Sequence, residues 1–453
     1  MMLVPLGEEY RTNYISDITS QALPTEYKAG RVKICGRTSN IKILGKIGFC
    51  SLSDSTGAIQ LTFKKGTQAF DALTKKEIYE GCIICVAGTT ALTPKGFPEF
   101  DVEDIQVFAK PEKYITEKVL NSSFLNNKKQ LAMIINPKLR ERFVIKAKMI
   151  SSLRNFFENA GFVEFETSIL NHSYDGGTVK PFVTRSHYFR KDLFLRVSAE
   201  LSLRKLLISG YDKVFEIGRA FRNEGVSKYR TYEFTMLELH QAFCDYNQII
   251  QLVEDAFKQM FKSLGIKKLK YEDKEIDIFG SWERVKLVDL VKKYCEIDAE
   301  KLGNAEEFQK ASKFLDGTEP AKIEKGFVMK ELLDRFIAPK LINPTFVTEF
   351  PSAMTPLAKK TSRDPRYSQV AVLYIGGVAV GDMYTDENDT KTLMNAFKKE
   401  DAELSNKIKQ SHKNEEYLEM LLYGQPPSSG AGIGLSRFAA VVTGCNNIED
   451  LRL

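Results

Sequence analysis

The stretch Lys213–His240, KVFEIGRAFRNEGVSKYRTYEFTMLELH, leaves this chain few folds to choose from. Val214, Phe215 and Ile217 read as one buried strand, and Phe234–Leu239 alternates around Glu233 and Glu238 as a second. A polar loop carrying Arg222, Glu224 and Arg230 joins them. Two antiparallel strands joined this way set Arg222 and Glu224 at the end of one and Glu233 and Glu238 near the start of the other, so opposite charges meet on one face. A site that grips a polyphosphate and an amino group together needs that pairing, because a guanidinium fork suits phosphoryl oxygens and a carboxylate suits an ammonium. Taken alone, the stretch is equally compatible with a surface hairpin laced with salt bridges.

At 453 residues, 43% hydrophobic and 27% charged, the chain has material for two or three domains with a sizeable core. A net charge of +6 is too mild for a uniformly positive surface, so nucleic acid would be met by local patches. Seven cysteines, mostly in apolar runs, fit reduced thiols in a cytoplasmic protein, and no apolar run is long enough for a membrane span. Cys82 and Cys85 form a CxxC without the second pair or histidine that zinc would need. Residues 1–29 form an N-terminal extension whose Glu8, Glu9, Asp17 and Glu26 are unlike a targeting peptide. Residues 30–108 read as five short strands, RVKICGRT, GFCSLSDS, GAIQLTFKK, CIICVAGTT and FDVEDIQVFA, of an OB-type β-barrel, which binds single strands by stacking bases on rings. A polar linker, 109–138, leads into an amphipathic helix with Phe143, Ile145, Ile150, Leu153 and Phe156 on its stripe and Gly161 as its stop. Residues 245–340 are helical in pattern and carry no readable chemistry. Towards the end, GAGIGLSRFAAVV sets Gly430, Gly432 and Gly434 before an apolar helix, leaving the backbone free to lie against a planar ring, with Arg437 in the first turn aimed at a phosphate.

FRNE, followed after eight residues by EFTMLE, resembles motif 2 of class II aminoacyl-tRNA synthetases, the lysyl enzyme in particular. The long helix and the strand after it resemble motif 1, with Ser168 in place of the family's proline. GxGxGxxR and the tail TGCNNIEDLRL resemble motif 3, with Ser436 in place of an aspartate. With GGTVKPFVT and LFLRVSAELSLRKLLISG, the resemblance runs from the barrel to Leu453. It implies an α+β protein: an OB-fold β-barrel at 30–108 for the anticodon, and a class II catalytic domain at 139–453. That domain would be an antiparallel sheet flanked by helices, with a helical insertion over roughly 250–340. The implied reaction is attack of a lysine carboxylate on the α-phosphate of ATP, then transfer to the tRNA 3′ end. ATP and Mg²⁺ are the implied cofactors, and lysine and tRNA, tRNA-Lys foremost, the partners of a cytoplasmic homodimer.

The resemblance assigns residues. Arg222 and Arg437 are the catalytic pair on the phosphates. ATP falls to these two with Asn223, Glu224, Arg230, Thr231, Phe234 and Gly434, and Phe221 or Phe234 stacks the adenine. The amino acid falls to Gly176, Gly177, Glu200, Glu238, His240, Asp382, Tyr384 and Asp386, with Glu200 meeting the α-ammonium and Asp386 the ε-ammonium. Phe49 and Gln60 look like the anticodon-reading ring and amide; a core phenylalanine and a solvated glutamine are the plainer reading. Several positions depart from the family. His240 replaces a tyrosine, Arg230 a histidine, Asp382 an asparagine and Asp386 a glutamate. Val372 and Ala379 stand where the family has two carboxylates for magnesium and ATP, so the metal site is unknown and slow activation is expected. Two other readings stay open. One is a paralogue that passes its amino acid to a protein or small molecule, against which the barrel argues. The other is a non-catalytic tRNA-binding or regulatory protein, for which Val372, Ala379, Ser168 and Ser436 argue.

Overall fold

The computed structural model describes residues 10–19, 31–113, 128–174, 179–302, 304–314, 325–405 and 415–453. The chain falls into two compact units, residues 1–120 and 121–453. Among the described residues no helix is long and apolar enough to cross a membrane.

In the first unit β1 (Val32–Leu44), β2 (Ile47–Ser53), β3 (Ala58–Lys64), β4 (Ile83–Leu92) and β5 (Pro98–Ala109) pair in the order β1–β2–β3–β5–β4, and β4 returns to β1. Alternation turns Cys50, Leu52, Ile59, Leu61 and Phe63 inward and leaves Phe49 and Gln60 on the outer face. The short helix Ile15–Thr19 adds Ile15 and Ile18 to the same core, and Asp54 Oδ2 accepts its first N–H at 3.0 Å. The expected barrel of five short strands is corrected on three points. β1 is 13 residues long, because Asn40, at φ 52°, continues the strand through a bulge between Ser39 and Lys42 where the polar pair reads as a turn. The helix Gln68–Thr74, capped by Thr67, stands where no element was expected. β3 and β5 run parallel and meet only over Gln60↔Glu99, Leu61↔Phe100 and Thr62↔Asp101.

The second unit holds β6 (Val163–Glu164), β7 (Leu170–Asn171), β8 (Val183–Arg185), β9 (Asp192–Leu195), β10 (Lys213–Phe221) and β11 (Glu233–Ala242). After them come the hairpin β12 (Leu269–Tyr271) and β13 (Lys274–Ile276), then β14 (Glu283–Lys286), β15 (Thr345–Pro351), β16 (Tyr367–Ile375), β17 (Val378–Thr385) and β18 (Ser428–Ile433). Eight strands form one sheet in the order β14–β15–β16–β17–β18–β11–β10–β6, and β7, β9 and β8 form a small one. The expected antiparallel sheet is corrected at both edges, where β6 runs parallel to β10 and β14 parallel to β15. Each of those pairs is joined by a long connection containing helices, which parallel pairing requires. The stretch read as a helical insertion also contains β12, β13 and β14.

One face of the large sheet is covered by the helices Pro137–Asn159, Tyr246–Ser263 and Leu435–Val442, whose Phe157, Phe257 and Phe438 join Phe215, Leu237 and Ile433 in the main core. Phe257 and Phe438 stack with centroids 4.2 Å apart. Asp245 and Gln248 close a capping box at the start of the second helix. The first helix buries Leu139, Met149, Leu153 and Phe157, a stripe shifted from the one expected, and Gly161 ends it at φ 82°. On the opposite face the helices Leu287–Cys295 and Lys325–Leu332 cover β15 and β16, while the helix Glu200–Ile208 covers the Val214 and Ala242 end of β10 and β11. The middle strands, β17, β18 and β11, keep a bare stretch of that face between the two coverings.

Candidate active site

Strand register assembles that bare stretch. Glu238 of β11, Gly432 of β18 and Asp382 of β17 lie side by side in one row, and His240, Gly430 and Tyr384 in the next. The two-residue period puts both rows on one face. A Cβ on Gly430 would lie 2.4 Å from His240 Cε1, and one on Gly432 would lie 2.9 Å from Met236 Cε and 3.0 Å from Glu238 Oε2. These glycines therefore make room for the chain's own side chains.

Arg222, Arg230 and Arg437 converge on a cavity of about 300 Å³, walled also by Glu224, Thr231, Phe234 and Gly434. Among the described residues none of the three guanidinium groups has a carboxylate within ion-pair distance. Arg437 donates from Nε to the Tyr229 carbonyl at 3.2 Å and from Nη1 to the Ala379 carbonyl at 2.8 Å. The Arg222 guanidinium lies over the Phe234 ring, 5.3 Å from its centroid. Burial, then the neighbouring Arg222 and Arg230, lowers the pKa of Arg437. Three cations gathered with no carboxylate in ion-pair contact among the described residues, though Glu224 and Asp382 share the cavity wall, make a site that favours an anion. The C-terminal tail braces the loop above it: the Thr231 hydroxyl bonds Glu449, and Ile448 N donates to the Lys228 carbonyl at 3.0 Å. Glu449 and Ile448 escaped the sequence reading, which used the tail only as context for the glycines.

A second cavity, of about 180 Å³, shares Val179, Arg222, Met236, Asp382 and Gly432 with the first. Its remaining wall includes Ser198, Glu200, Glu238, His240 and Tyr384. Ser198, also missed from sequence, donates from Oγ to Glu238 Oε1 at 2.7 Å and accepts from Glu200 N at 2.9 Å. Burial, then Glu200, raises Glu238 well above the usual carboxylate range. Asp382 is open to the cavity yet enclosed by its walls; burial, then Glu200, pushes it up to about 6, against the pull of Arg222 and Arg437. Burial and then Glu200 also raise the Tyr384 phenol. Cation and anion cavities thus abut at Arg222 and Asp382.

Not every expected residue reaches these walls. Asn223 is exposed, and its N–H donates to the Lys180 carbonyl at 2.8 Å; Phe221 lines neither cavity. Gly176 and Gly177 lie outside the described residues. Asp386, expected against a substrate ammonium, is 0% exposed and absent from the wall. The chain turns at the end of β17, Asp386 N donating to the Ser428 carbonyl at 2.9 Å, and this carries the carboxylate behind His240. There its Oδ2 accepts from His240 Nδ1 at 3.2 Å and from Ser428 Oγ at 2.6 Å, and Arg204 Nη1 stands 3.8 Å from Oδ1. Burial alone would raise this carboxyl; Arg204 and then His240 hold it down to about 2. Arg204 had one sequence signal, a cation four residues after Glu200 on a leucine-rich helix.

Comparison with known proteins agrees with this geometry. A family model described as tRNA synthetases class II (D, K and N) matches residues 122–453, and one described as OB-fold nucleic acid binding domain matches 32–108. The lysine–tRNA ligase of Halalkalibacterium halodurans is 33% identical over 94% of this chain and 87% of its own length. Those of Moorella thermoacetica and Syntrophomonas wolfei are each 31% identical, over 94% and 100% of this chain and 89% and 93% of their own lengths. The chain belongs to the class II lysyl-tRNA synthetase family. As a member it is an aminoacyl-tRNA ligase of translation, which sets aside the readings as a paralogue serving another acceptor and as a non-catalytic protein.

Within this lysyl-tRNA synthetase family the chain departs at places that now have surroundings. Val372 continues the first row beyond Asp382, and Ala379 pairs with Tyr374; both are half-buried against the second core, where neither can ligate a metal. Among the described residues no group of three or more His, Cys, Asp or Glu could hold a metal ion. Ser436 accepts from Thr235 N at 2.9 Å and from Lys146 Nζ at 3.3 Å. With a hydroxyl and no carboxylate there, burial and then Arg219 push Lys146 down to about 8. In the first unit, Phe49 stands opposite Thr62 outside the core, and exposed Gln60 donates from Nε2 to Glu99 Oε2 at 3.4 Å.

Proposed function

We propose that the bare face of the large sheet activates lysine with ATP and passes it to the lysine tRNA. The observation that carries this reading is the shared wall: a cavity of three arginines that have no carboxylate within ion-pair distance among the described residues opens into one lined by Glu200, Glu238 and Asp382, with Arg222 on both. ATP lies in the first, its triphosphate among Arg222, Arg230 and Arg437 and its adenine against Phe234. The amino acid lies in the second, its α-ammonium at Glu200 and Glu238 and its carboxylate at Arg222. A carboxylate oxygen attacks the α-phosphorus, the bond to the β-phosphate oxygen breaks, and pyrophosphate leaves with the electron pair. Arg222 meets the charge that grows on the α-phosphate, and Arg437 the leaving group. The terminal ribose hydroxyl of the tRNA then attacks the activated carbonyl and AMP departs. Positioning and charge suffice, and no protein nucleophile takes part. Mg²⁺ accompanies ATP in class II enzymes generally; Val372 and Ala379 do not fit a protein-held metal, and none of these steps runs through one.

The same reading gives Phe49 and Gln60 the anticodon, since a ring and an amide free of the core can stack on and pair with bases. It makes the protein a cytoplasmic homodimer, for which exposed Leu170, Val183, Tyr188 and Phe189 on and beside the small sheet supply an apolar patch. The test is amino-acid-dependent exchange of pyrophosphate into ATP across a panel of amino acids. Lysine should stand out; a panel with no response, or one led by another amino acid, sinks the assignment.

A further inference from the structure

Cys35 of β1 and Cys85 of β4 stand directly opposite each other in an antiparallel pair. Such partners have Cα atoms about 4.5 or 5.5 Å apart, inside the range of about 4.4 to 6.8 Å that a disulfide spans. Their neighbours Ile34, Ile84 and Val86 join the barrel core, so alternation sets both sulfurs on the outer face. There the strap of residues 10–13 covers them. The Tyr10 ring meets Phe108 edge-on with centroids 5.5 Å apart, Thr12 N donates to the Lys33 carbonyl at 3.0 Å, and Lys33 N donates to Thr12 Oγ1 at 2.8 Å. Both sulfurs lie within hydrogen-bond reach of one acceptor, the Tyr10 carbonyl, Cys35 Sγ at 3.1 Å and Cys85 Sγ at 3.2 Å. The Cys85 thiol also donates to the Cys35 sulfur; this contact, with the nearby cations Arg11 and Lys33, brings Cys35 down to about 7 against the effect of burial. Cys85 borders a cavity of about 70 Å³ together with Tyr10, Lys33 and Asp104, which has room for a molecule little larger than water. Cys50 and Cys82 differ: they face the barrel core, where burial pushes Cys50 up to about 12.

We propose that Cys35 and Cys85 are a modification site for hydrogen peroxide, which closes them into a reversible cross-strand disulfide and loosens the strap above. The Cys35 thiolate attacks one peroxide oxygen, the O–O bond breaks, and the leaving hydroxide takes up the proton that Cys35 gave up, as water. Cys35 is left as a sulfenic acid. The Cys85 sulfur attacks the Cys35 sulfur, the S–O bond breaks, and hydroxide leaves with the Cys85 proton as a second water. Two thiols are oxidised to one disulfide, and one peroxide is reduced to two waters. A partner sulfur already in contact makes the second step intramolecular, so closure outruns further oxidation of the sulfenic acid. The product has no S–H left for the Tyr10 carbonyl. The strap then keeps its bonds to Lys33 and loses its hold at Tyr10. A thiol reductant reverses the change by exchange.

The experiment exposes the full chain to hydrogen peroxide, blocks the remaining thiols with N-ethylmaleimide and maps peptides by mass spectrometry without reduction. The peptides carrying Cys35 and Cys85 should appear joined and two hydrogens lighter. They should join at least about tenfold faster than Cys50, Cys82, Cys244, Cys295 or Cys445 is lost, and dithiothreitol should part them. In Cys85→Ser, Cys35 should stop at a sulfenic acid that dimedone labels. Deuterium uptake by the peptide that holds Thr12 and Asn13 should quicken about threefold to tenfold in the disulfide form, the loss of roughly one hydrogen bond. A pair that reacts no faster than the other cysteines, or that passes to separate sulfinic acids without joining, overturns the proposal. Uptake unchanged by disulfide formation overturns the loosening of the strap. Should Cys85→Ser fail to fold, the peptide map of the unaltered chain still decides.

Discussion

Arg222 and Arg437 reach the cationic cavity from the end of a strand and the first turn of a helix, and they share its load unequally. Arg437 is braced by two carbonyls, whereas Arg222 leans on an aromatic ring and reaches one carbonyl, that of Val197, at 3.5 Å. Alanine at either should leave far-ultraviolet circular dichroism unchanged and slow ATP–pyrophosphate exchange about a hundredfold, on the order of 3 kcal/mol for one donor at a developing anion; parental rates in both variants would remove the phosphate site. Asp386 predicts a pH effect. Its folded pKa of about 2 lies below the ordinary 3.8, so it contributes stability above pH 4 that is lost as pH falls towards 2. That contribution is roughly 2 kcal/mol, and urea denaturation at pH 5 and pH 2 should show it in the parent and not in Asp386→Asn. Residue types were legible in the sequence: Arg222, Glu238 and Arg437 could be picked out by sign and spacing. The concealment of Asp386 was not, because it depends on a buried arginine from a helix far away in the chain.

At the scale of elements, the glycines of β18 set how closely β11 can lie beside it. Gly430→Ala puts a methyl 2.4 Å from His240 and should cost about 1 to 3 kcal/mol as overpacking. Gly434→Ala, whose Cβ meets nothing nearer than 3.6 Å, should be close to neutral. Thermal unfolding of the two variants side by side checks this, and equal losses would refute the close fit. From sequence, these glycines read as clearance for a planar ligand, because a glycine signals close approach without saying what approaches. Strands β10 and β11 were legible from alternation and the loop between them. The edge strands β6 and β14, only two and four residues long, were not, since so short a run has no period to detect.

The whole molecule divides its proposed work between two compact units. Phe49→Ala and Gln60→Ala in the first should weaken tRNA binding, by about 1 to 3 kcal/mol for a lost base stack, and leave lysine activation by the second untouched. Filter binding beside the exchange assay separates the two effects, and unchanged affinity in both variants would leave the outer face of β2 and β3 without a ligand. Order within the large sheet was the least legible feature, for pairing between segments distant in sequence leaves no local trace. That order sets a sequence of events during synthesis. β18 is the last strand of the sheet to leave the ribosome, yet it lies between β17 and β11. Until Ser428–Ile433 emerges, a nascent chain carries two half-sheets with facing open edges, each a template for pairing with a stranger. Neither row of the site is complete before that moment, because Gly432 joins Asp382 to Glu238 and Gly430 joins Tyr384 to His240.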